Sequence, residues 1–86
     1  MAQLEQYKIF ASVAQNKSFG KAASELYITQ PAVSQSVKQL EIELGVQLFV
    51  RTARGAELTE AGKTLYGYAE QALSTLRNGE EQLKVL

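Results

Sequence analysis

The sequence predicts a mainly α-helical fold in which three helices and a two-stranded β wing precede a long C-terminal helix. Three observations support this prediction. Residues 29–45 have the pattern of an amphipathic helix, residues 46–58 change to a two-residue hydrophobic period, and a heptad pattern follows residue 59 without a proline. We therefore divide the chain into a winged helix-turn-helix domain at 1–58 and a linker helix for dimerisation at 59–86.

The composition excludes several classes of function. The 86 residues fit one domain and contain neither cysteine nor histidine, which removes disulfides, the usual zinc sites and serine-histidine triads. We find no carboxylate pair or glycine-rich phosphate loop, so we expect no enzyme, no metal and no cofactor. No stretch approaches the roughly 20 apolar residues of a membrane span. A cytoplasmic protein without a membrane partner fits these features.

The net charge is zero, but the charges are unevenly distributed. Residues 1–55 contain six basic and four acidic residues, whereas residues 56–86 contain three basic and five acidic residues. The first part therefore has a net charge of +2 and the second a net charge of −2. This mild basic bias coincides with the part that we expect to face a polyanion.

The first two helical patterns are interpreted as core elements. Residues 3–15 form a stripe through Leu4, Tyr7, Ala11 and Ala14, and Phe10 widens it. A second helix is expected at about residues 19–27. Ser18 is suited to its N-cap, because a serine hydroxyl can accept a hydrogen bond from a free N–H of the first turn.

The third helix is predicted to read DNA. Its inward stripe is formed by four aliphatic residues at helical spacing: Val33, Val37, Leu40 and Leu44. The opposite face is uncharged or basic and contains Pro31, Ser34, Gln35 and Lys38. The serine, glutamine and lysine side chains of this face can form hydrogen bonds with base edges and phosphates in a major groove. Thr29 or Gln30 would cap this helix, Pro31 favours its first turn, and Gly45 would end it.

The segment after Gly45 predicts the wing. Val46, Leu48 and Val50 alternate with other residues as in a short strand, a turn follows at 52–55, and 56–58 can form the return strand. The tip of this hairpin would present Arg51 and Arg54. Arginine there suits phosphate contact or a narrow minor groove, although two solvated surface arginines are an equal alternative.

The last helix predicts a dimer contact. It would be roughly 40 Å long at 1.5 Å per residue, which is longer than the winged domain can cover. Apolar and small residues recur along it at heptad spacing: Leu65, Ala69, Ala72, Leu76, Gly79, Leu83 and Leu86. An uncovered stripe of this kind needs a partner, and we expect a second copy of the chain.

The combined pattern resembles the N-terminal DNA-binding domain of the LysR-type transcriptional regulators over nearly the whole chain. The matching residues are Phe10 with Ala14, Ser18-Phe19, Lys21-Ala22-Ala23 with Leu26, Ile28 to Ser34, Leu40-Glu41, Leu44-Gly45, Leu48-Phe49, Arg51, and Leu58-Thr59 with Ala61-Gly62. The resemblance implies a homodimer, formed by antiparallel linker helices, that binds an interrupted palindrome in double-stranded DNA near promoters. It also implies an effector-binding domain after Leu86, absent from this chain, that senses a small molecule, and it allows a tetramer in the full-length parent.

The resemblance carries DNA contacts onto particular residues. Base contacts fall on Gln30, Pro31 and Ser34, with apolar contact from Pro31 or Ala32 to thymine methyls. Gln35 stands where the family often has arginine; glutamine can pair with adenine but supplies no charge, which Lys38 would supply one turn later. The wing positions match Arg51 and Arg54. Thr29 and Ser18 could donate to phosphates or serve as caps alone. The alternative function is a helical dimerisation or adaptor module without DNA binding.

Overall fold

The computed structural model describes all residues, 1–86, as four helices and one antiparallel hairpin. The elements are α1 (Leu4–Asn16), α2 (Phe19–Leu26), α3 (Gln30–Leu44), β1 (Phe49–Thr52), β2 (Gly55–Leu58) and α4 (Glu60–Leu83). This order confirms the predicted winged helix-turn-helix followed by a long helix. The molecule measures 46 × 25 × 21 Å, because the end of α4 extends away from the other elements.

The core lies where α1, α2 and α3 meet the base of the wing. Its largest fully buried side chains come from three separate segments: Phe10, Val13, Val33, Leu40 and Leu48. The ring of Phe10 packs against Phe49, with ring centroids 5.4 Å apart, and against Tyr66 of α4 at 6.4 Å. The aromatic contacts therefore join the first helix, the wing and the last helix into one unit.

Short polar signals determine the helix boundaries. The hydroxyls of Ser18, Thr29 and Thr59 accept hydrogen bonds from backbone N–H groups in the first turns of α2, α3 and α4. Gly45 ends α3 in the left-handed conformation, with φ of 71°, as predicted. Leu44, however, is 40% exposed, so the inward stripe of α3 effectively ends at Leu40.

The wing differs from the predicted hairpin at its start. Strand β1 begins at Phe49 rather than Val46. Leu48 and Phe49 are both buried, so the alternation of buried and exposed side chains that was expected from Val46 onward is absent there. Thr52 pairs with Gly55 at the end of the hairpin. The N–H of Ala56 donates to the carbonyl oxygen of Lys17, so β2 also rests on the turn after α1.

Helix α4 belongs partly to the core of its own chain. Ala69 and Leu73 are buried, and Leu65 is partly buried against the core, whereas Ala72 is exposed, Leu76 is 52% exposed and Leu83 is 69% exposed. The expected continuous uncovered stripe is therefore corrected: Leu65 and Ala69 are covered by the same chain. The helix also ends at Leu83, before Leu86. Its first half supports the wing, and only the second half projects.

Candidate nucleic-acid interface

The first turn of α3 presents polar side chains to solvent. Gln30, Pro31, Ala32 and Gln35 are all exposed, while Val33 between them is fully buried. The side-chain oxygen of Gln30 lies over α2, where a Cβ atom added to Gly20 would be 3.4 Å from it. Because Val33 is buried, the opposite side of this turn, with the side-chain amides of Gln30 and Gln35, faces solvent. This arrangement leaves donors and acceptors free to meet base edges.

The hydroxyls of Ser18 and Thr29 act as helix caps. Ser18 Oγ accepts a hydrogen bond from the N–H of Lys21 at 3.0 Å, and Thr29 Oγ1 accepts one from the N–H of Ala32 at 3.2 Å. A hydroxyl has one proton to donate in addition to its acceptor sites. Each cap therefore retains a donor that could reach a phosphate, so the two interpretations of these residues are compatible.

Between α3 and the wing lies a cleft that brings predicted contact residues together. Ser34 and Lys38 line it from α3, and Arg51 lines it from β1. Ser34 is half-buried, whereas Lys38 and Arg51 are exposed. A hydroxyl and two cations around one concave surface match the hydrogen-bond donors that phosphate groups attract.

The two wing arginines occupy different positions. Arg54 lies exposed in the turn between the strands, where its N–H donates to Thr52 Oγ1 at 3.1 Å. Arg51 lies in β1, paired with Ala56, and its guanidinium carbon is 4.4 Å from the centroid of the Phe19 ring. The prediction that both arginines form the tip is therefore wrong for Arg51. Its cation stacks on the first residue of α2 and faces the cleft instead.

The cations of this surface have no carboxylate partner. The three salt bridges of the chain all lie on α4: Lys63–Glu60, Arg77–Glu70 and Lys84–Glu81. Lys38, Arg51 and Arg54 take part in none of them. No carboxylate pairs directly with these three cations, so their positive charge is available to a polyanion.

One acid on the wing, Glu57, has a lowered pKa. The hydrogen bond from the Thr52 hydroxyl lowers the pKa of Glu57 below its usual 4.5, and the charges of Arg54, Lys17 and Lys63 act in the same direction. Desolvation partly opposes this change. Glu57 therefore remains ionised at neutral pH and forms a hydrogen bond across the hairpin.

Two residues of the surface were not identified as contributors from the sequence. Phe19 supports Arg51, and Glu41 in α3 accepts hydrogen bonds from the start of the wing. The Phe19–Arg51 contact joins positions that are far apart in sequence, so no local pattern could reveal it. For Glu41, the only local signal was an acidic residue next to the buried Leu40.

The predicted dimer residues adjoin a groove between α1 and α4. Apolar side chains of Leu4, Leu26, Leu73 and Leu76 line this groove, together with polar residues that include Glu70 and Arg77. Ala72 and Leu76 belong to the exposed side of α4, and Leu83 lies beyond the groove near the end of the helix. No three residues with metal-ligating side chains cluster anywhere in the chain, and none of its helices combines the length and apolar character of a bilayer span.

Comparison with known proteins identifies the family. The model of the family described as "Bacterial regulatory helix-turn-helix protein, lysR family" matches residues 4–63. The RuBisCO operon transcriptional regulator of Allochromatium vinosum is 43% identical over 83 residues, which cover 96% of this chain and 28% of that protein. The transcriptional regulator CfxR of Cupriavidus necator is 45% identical over 83 residues, 96% of this chain and 26% of that protein. This chain thus spans about a quarter of the length of these relatives.

Solved structures agree with the fold. The DNA-binding domain of BenM, in complex with catB site 1 DNA, has a TM-score of 0.88 and 36% identity, over 96% of this chain and 93% of that one. The DNA-binding domain of CbnR, also in complex with DNA, has a TM-score of 0.84 and 31% identity, over 98% and 97%. The relatives are transcriptional regulators rather than enzymes. The chain has the winged helix-turn-helix fold of these DNA-binding domains, and it belongs to the LysR family of bacterial regulatory helix-turn-helix proteins.

Proposed function

We propose that this chain binds a specific site in double-stranded DNA as a homodimer, with α3 in the major groove and the wing beside it. One observation carries the proposal: the exposed first turn of α3 leads directly into Ser34 and Lys38, which share a cleft with Arg51 of the wing, and no carboxylate pairs with Lys38, Arg51 or Arg54. Bases are read from the turn, and phosphates are held by the cations around it.

The base-reading residues are proposed to be the exposed residues at the start of α3 together with the half-buried Ser34. Gln30, Ser34 and Gln35 form hydrogen bonds with base edges, and Pro31 and Ala32 contact thymine methyl groups. Lys38 and Arg51 hold phosphates from the two walls of the cleft, and Arg54 enters the adjacent minor groove or holds its backbone. The cap hydroxyls of Ser18 and Thr29 donate to phosphates at the helix starts.

Dimerisation is proposed to use the projecting half of α4. The exposed side chains of Ala72, Leu76 and Leu83, next to the apolar groove between α1 and α4, offer a surface on which the α4 helix of a second copy would fit. Leu65 and Ala69 pack against the core of the same chain and hold α4 in place beside this surface. Two copies related by a two-fold axis would bring two α3 helices to successive major grooves, roughly 34 Å apart.

Selection of bound sequences from a random pool of duplexes tests the function. The expected product is an inverted repeat whose half-sites are about one helical turn apart, because each protomer reads one half-site. Failure to enrich any sequence would refute sequence-specific binding. Enrichment of a single unrepeated motif would refute the dimer.

Substitutions then test the individual roles on the selected duplex. We expect Gln30→Ala and Ser34→Ala each to weaken binding by about 1–3 kcal/mol, and each to lose the preference for a particular base pair at one position of the half-site. Gln71→Ala is the matched control, since Gln71 is exposed on α4, away from this surface. Equal affinity and sequence preference for Gln30→Ala and Gln71→Ala would contradict the assignment.

The phosphate contacts have a different signature. We expect Lys38→Ala to weaken binding on all sequences and to flatten the dependence of log Kd on log salt by about one unit. Lys84→Ala removes the same charge from the far end of α4 and is expected to leave the slope unchanged. Identical slopes for the two variants would refute a phosphate contact by Lys38.

The activity of the whole protein is also a proposal. Because the chain spans 28% of one regulator and 26% of another, we propose that it is the DNA-binding part of a longer cytoplasmic regulator. In that protein a separate domain would sense a small molecule and could extend the dimer to a tetramer. Transcription of a reporter that contains the selected site, with and without the full-length protein, tests this role.

A further inference from the structure

Glu41 accepts most of the backbone hydrogen bonds of the connection between α3 and the wing. Its carbonyl oxygen accepts hydrogen bonds from the N–H groups of Gly45 at 2.8 Å and Val46 at 3.2 Å. Its side-chain oxygen Oε2 accepts from the N–H groups of Leu48 at 2.7 Å and Phe49 at 3.4 Å. One residue therefore binds four N–H groups along five residues. No other side chain of α3 forms a hydrogen bond with this connection or the hairpin.

The two sets of bonds have different functions. Carbonyl bonds of the first kind end a helix at its C-cap, and they form for almost any residue at that position. The carboxylate bonds depend on the glutamate side chain, and they reach past the cap to the residue that begins β1. They fix where the wing leaves the helix. A buried or half-buried backbone N–H needs an acceptor, and no strand partner supplies one at Leu48.

We propose that Glu41 is a positioning residue that sets the place of Arg54 relative to the recognition helix, and so determines how far the wing reaches toward DNA. The proposal rests on the proposed function of α3 and the wing. Strand β1 advances three residues from Phe49 to Thr52, about 10 Å at about 3.3 Å per residue, and Arg54 lies two residues further on in the turn. A rotation of about 10° at the anchor would move the tip by about 2 Å, which is enough to break a hydrogen bond there.

Glu41 could affect DNA binding in a second way, through repulsion between its negative charge and the phosphates. Glu41 lines the cleft that also contains Lys38 and Arg51. If its negative charge acted mainly by opposing DNA, any neutral replacement would strengthen binding. If it acts by holding the wing, the reach of the side-chain acceptor matters and the charge does not. Aspartate and glutamine separate these two properties.

Two substitutions isolate reach from charge. Glu41→Asp keeps the charge but withdraws the acceptor by about one carbon–carbon bond, roughly 1.5 Å, which breaks both carboxylate bonds. Glu41→Gln keeps an acceptor oxygen at the same reach and removes the charge. Each is made in the original 86-residue chain and in the Arg54→Ala chain, and dissociation constants are measured on the duplex selected by the original chain.

We expect Glu41→Asp to weaken binding about fivefold when Arg54 is present and by less than about twofold when it is replaced, since two residues that act through one contact are not additive. Glu41→Gln is expected to stay within about twofold of its parent in both chains. Hydroxyl-radical footprints should show that Glu41→Asp loses the protection under the wing and keeps that under α3.

The outcomes separate this proposal from the function on which it rests. If Arg54→Ala alone leaves binding unchanged, the proposed role of the wing fails. If Arg54→Ala weakens binding but the loss from Glu41→Asp is equal in both chains, the wing role stands and the positioning role is overturned. Stronger binding of Glu41→Gln assigns an electrostatic role instead. A Glu41→Asp chain that no longer unfolds cooperatively assigns the residue to folding and also overturns the proposal.

Discussion

Replacement of Thr59 by valine tests how the wing is joined to α4. The Thr59 hydroxyl accepts a hydrogen bond from the N–H of Gly62 at 3.0 Å, which caps α4, and it donates to the carbonyl oxygen of Gln47 at 2.6 Å. Loss of an N-cap costs about 1 kcal/mol, and loss of a hydrogen bond costs about 1 kcal/mol more. Valine preserves the shape of the side chain, so we expect unfolding to be easier by about 2 kcal/mol.

The assays are urea and thermal unfolding, both followed by far-ultraviolet circular dichroism. For a domain of this size, a loss of about 2 kcal/mol lowers Tm by roughly 8–16 °C. Thr75→Val is the matched control, because Thr75 Oγ1 donates to the carbonyl oxygen of Gln71 in the exposed middle of α4. It should change stability by less than about 0.5 kcal/mol. Both variants are compared at one protein concentration, since association would also stabilise the fold. Equal effects of the two substitutions would refute this account of Thr59.

Three further predictions concern the wing, its pH dependence and the dimer. Gly62→Ala should destabilise the chain by about 1–3 kcal/mol in the same urea assay, because its Cβ would lie 2.2 Å from the carbonyl oxygen of Leu48. Because the pKa of Glu57 is lowered in the folded chain, its hydrogen bond with Thr52 stabilises the fold above pH 4.5, and this stabilisation is lost as the pH falls through the folded-state pKa. Glu57→Gln should therefore reduce the dependence of Tm on pH between pH 5 and pH 2. Leu76→Glu should raise the dimer dissociation constant measured by sedimentation velocity at least about tenfold while unfolding stays cooperative, and an unchanged dissociation constant would contradict the proposed α4 contact.

The parts of the fold that follow local rules could be predicted from the sequence. Ser18, Thr29 and Gly45 mark helix boundaries because capping depends on a hydroxyl or a glycine within three or four residues of the groups that it serves. The apolar stripe of α3, which includes Val33 and Leu40, could also be predicted, because it follows from the spacing of residues along one helix. Periodicity identifies the apolar face of a helix, and the apolar face of α3 packs against the core of its own chain.

The features that depend on long-range packing could not be predicted. Periodicity shows that Ala69 faces an apolar surface, but not whether that surface belongs to the same chain or to a second copy; here it is the core of the same chain. The place of Arg51 depends on Phe19, which is distant in sequence and provides an aromatic ring at the edge of the cleft. The start of β1 was predicted too early, because Glu41 engages the N–H of Leu48 before strand pairing begins. The roles of Gln30, Ser34 and the other contact residues remain predictions until DNA binding is measured.

The location of all three ion pairs on α4 has a consequence for the encounter with DNA. Because the net charge is zero, the domain gains little long-range attraction to a duplex beyond about 8 Å, where salt screens the remaining field. At shorter range the unpaired cations Lys38, Arg51 and Arg54 are the groups that the field of a duplex would attract, whereas the paired charges of α4 largely cancel one another. The charge distribution therefore selects the orientation of approach rather than the rate of arrival.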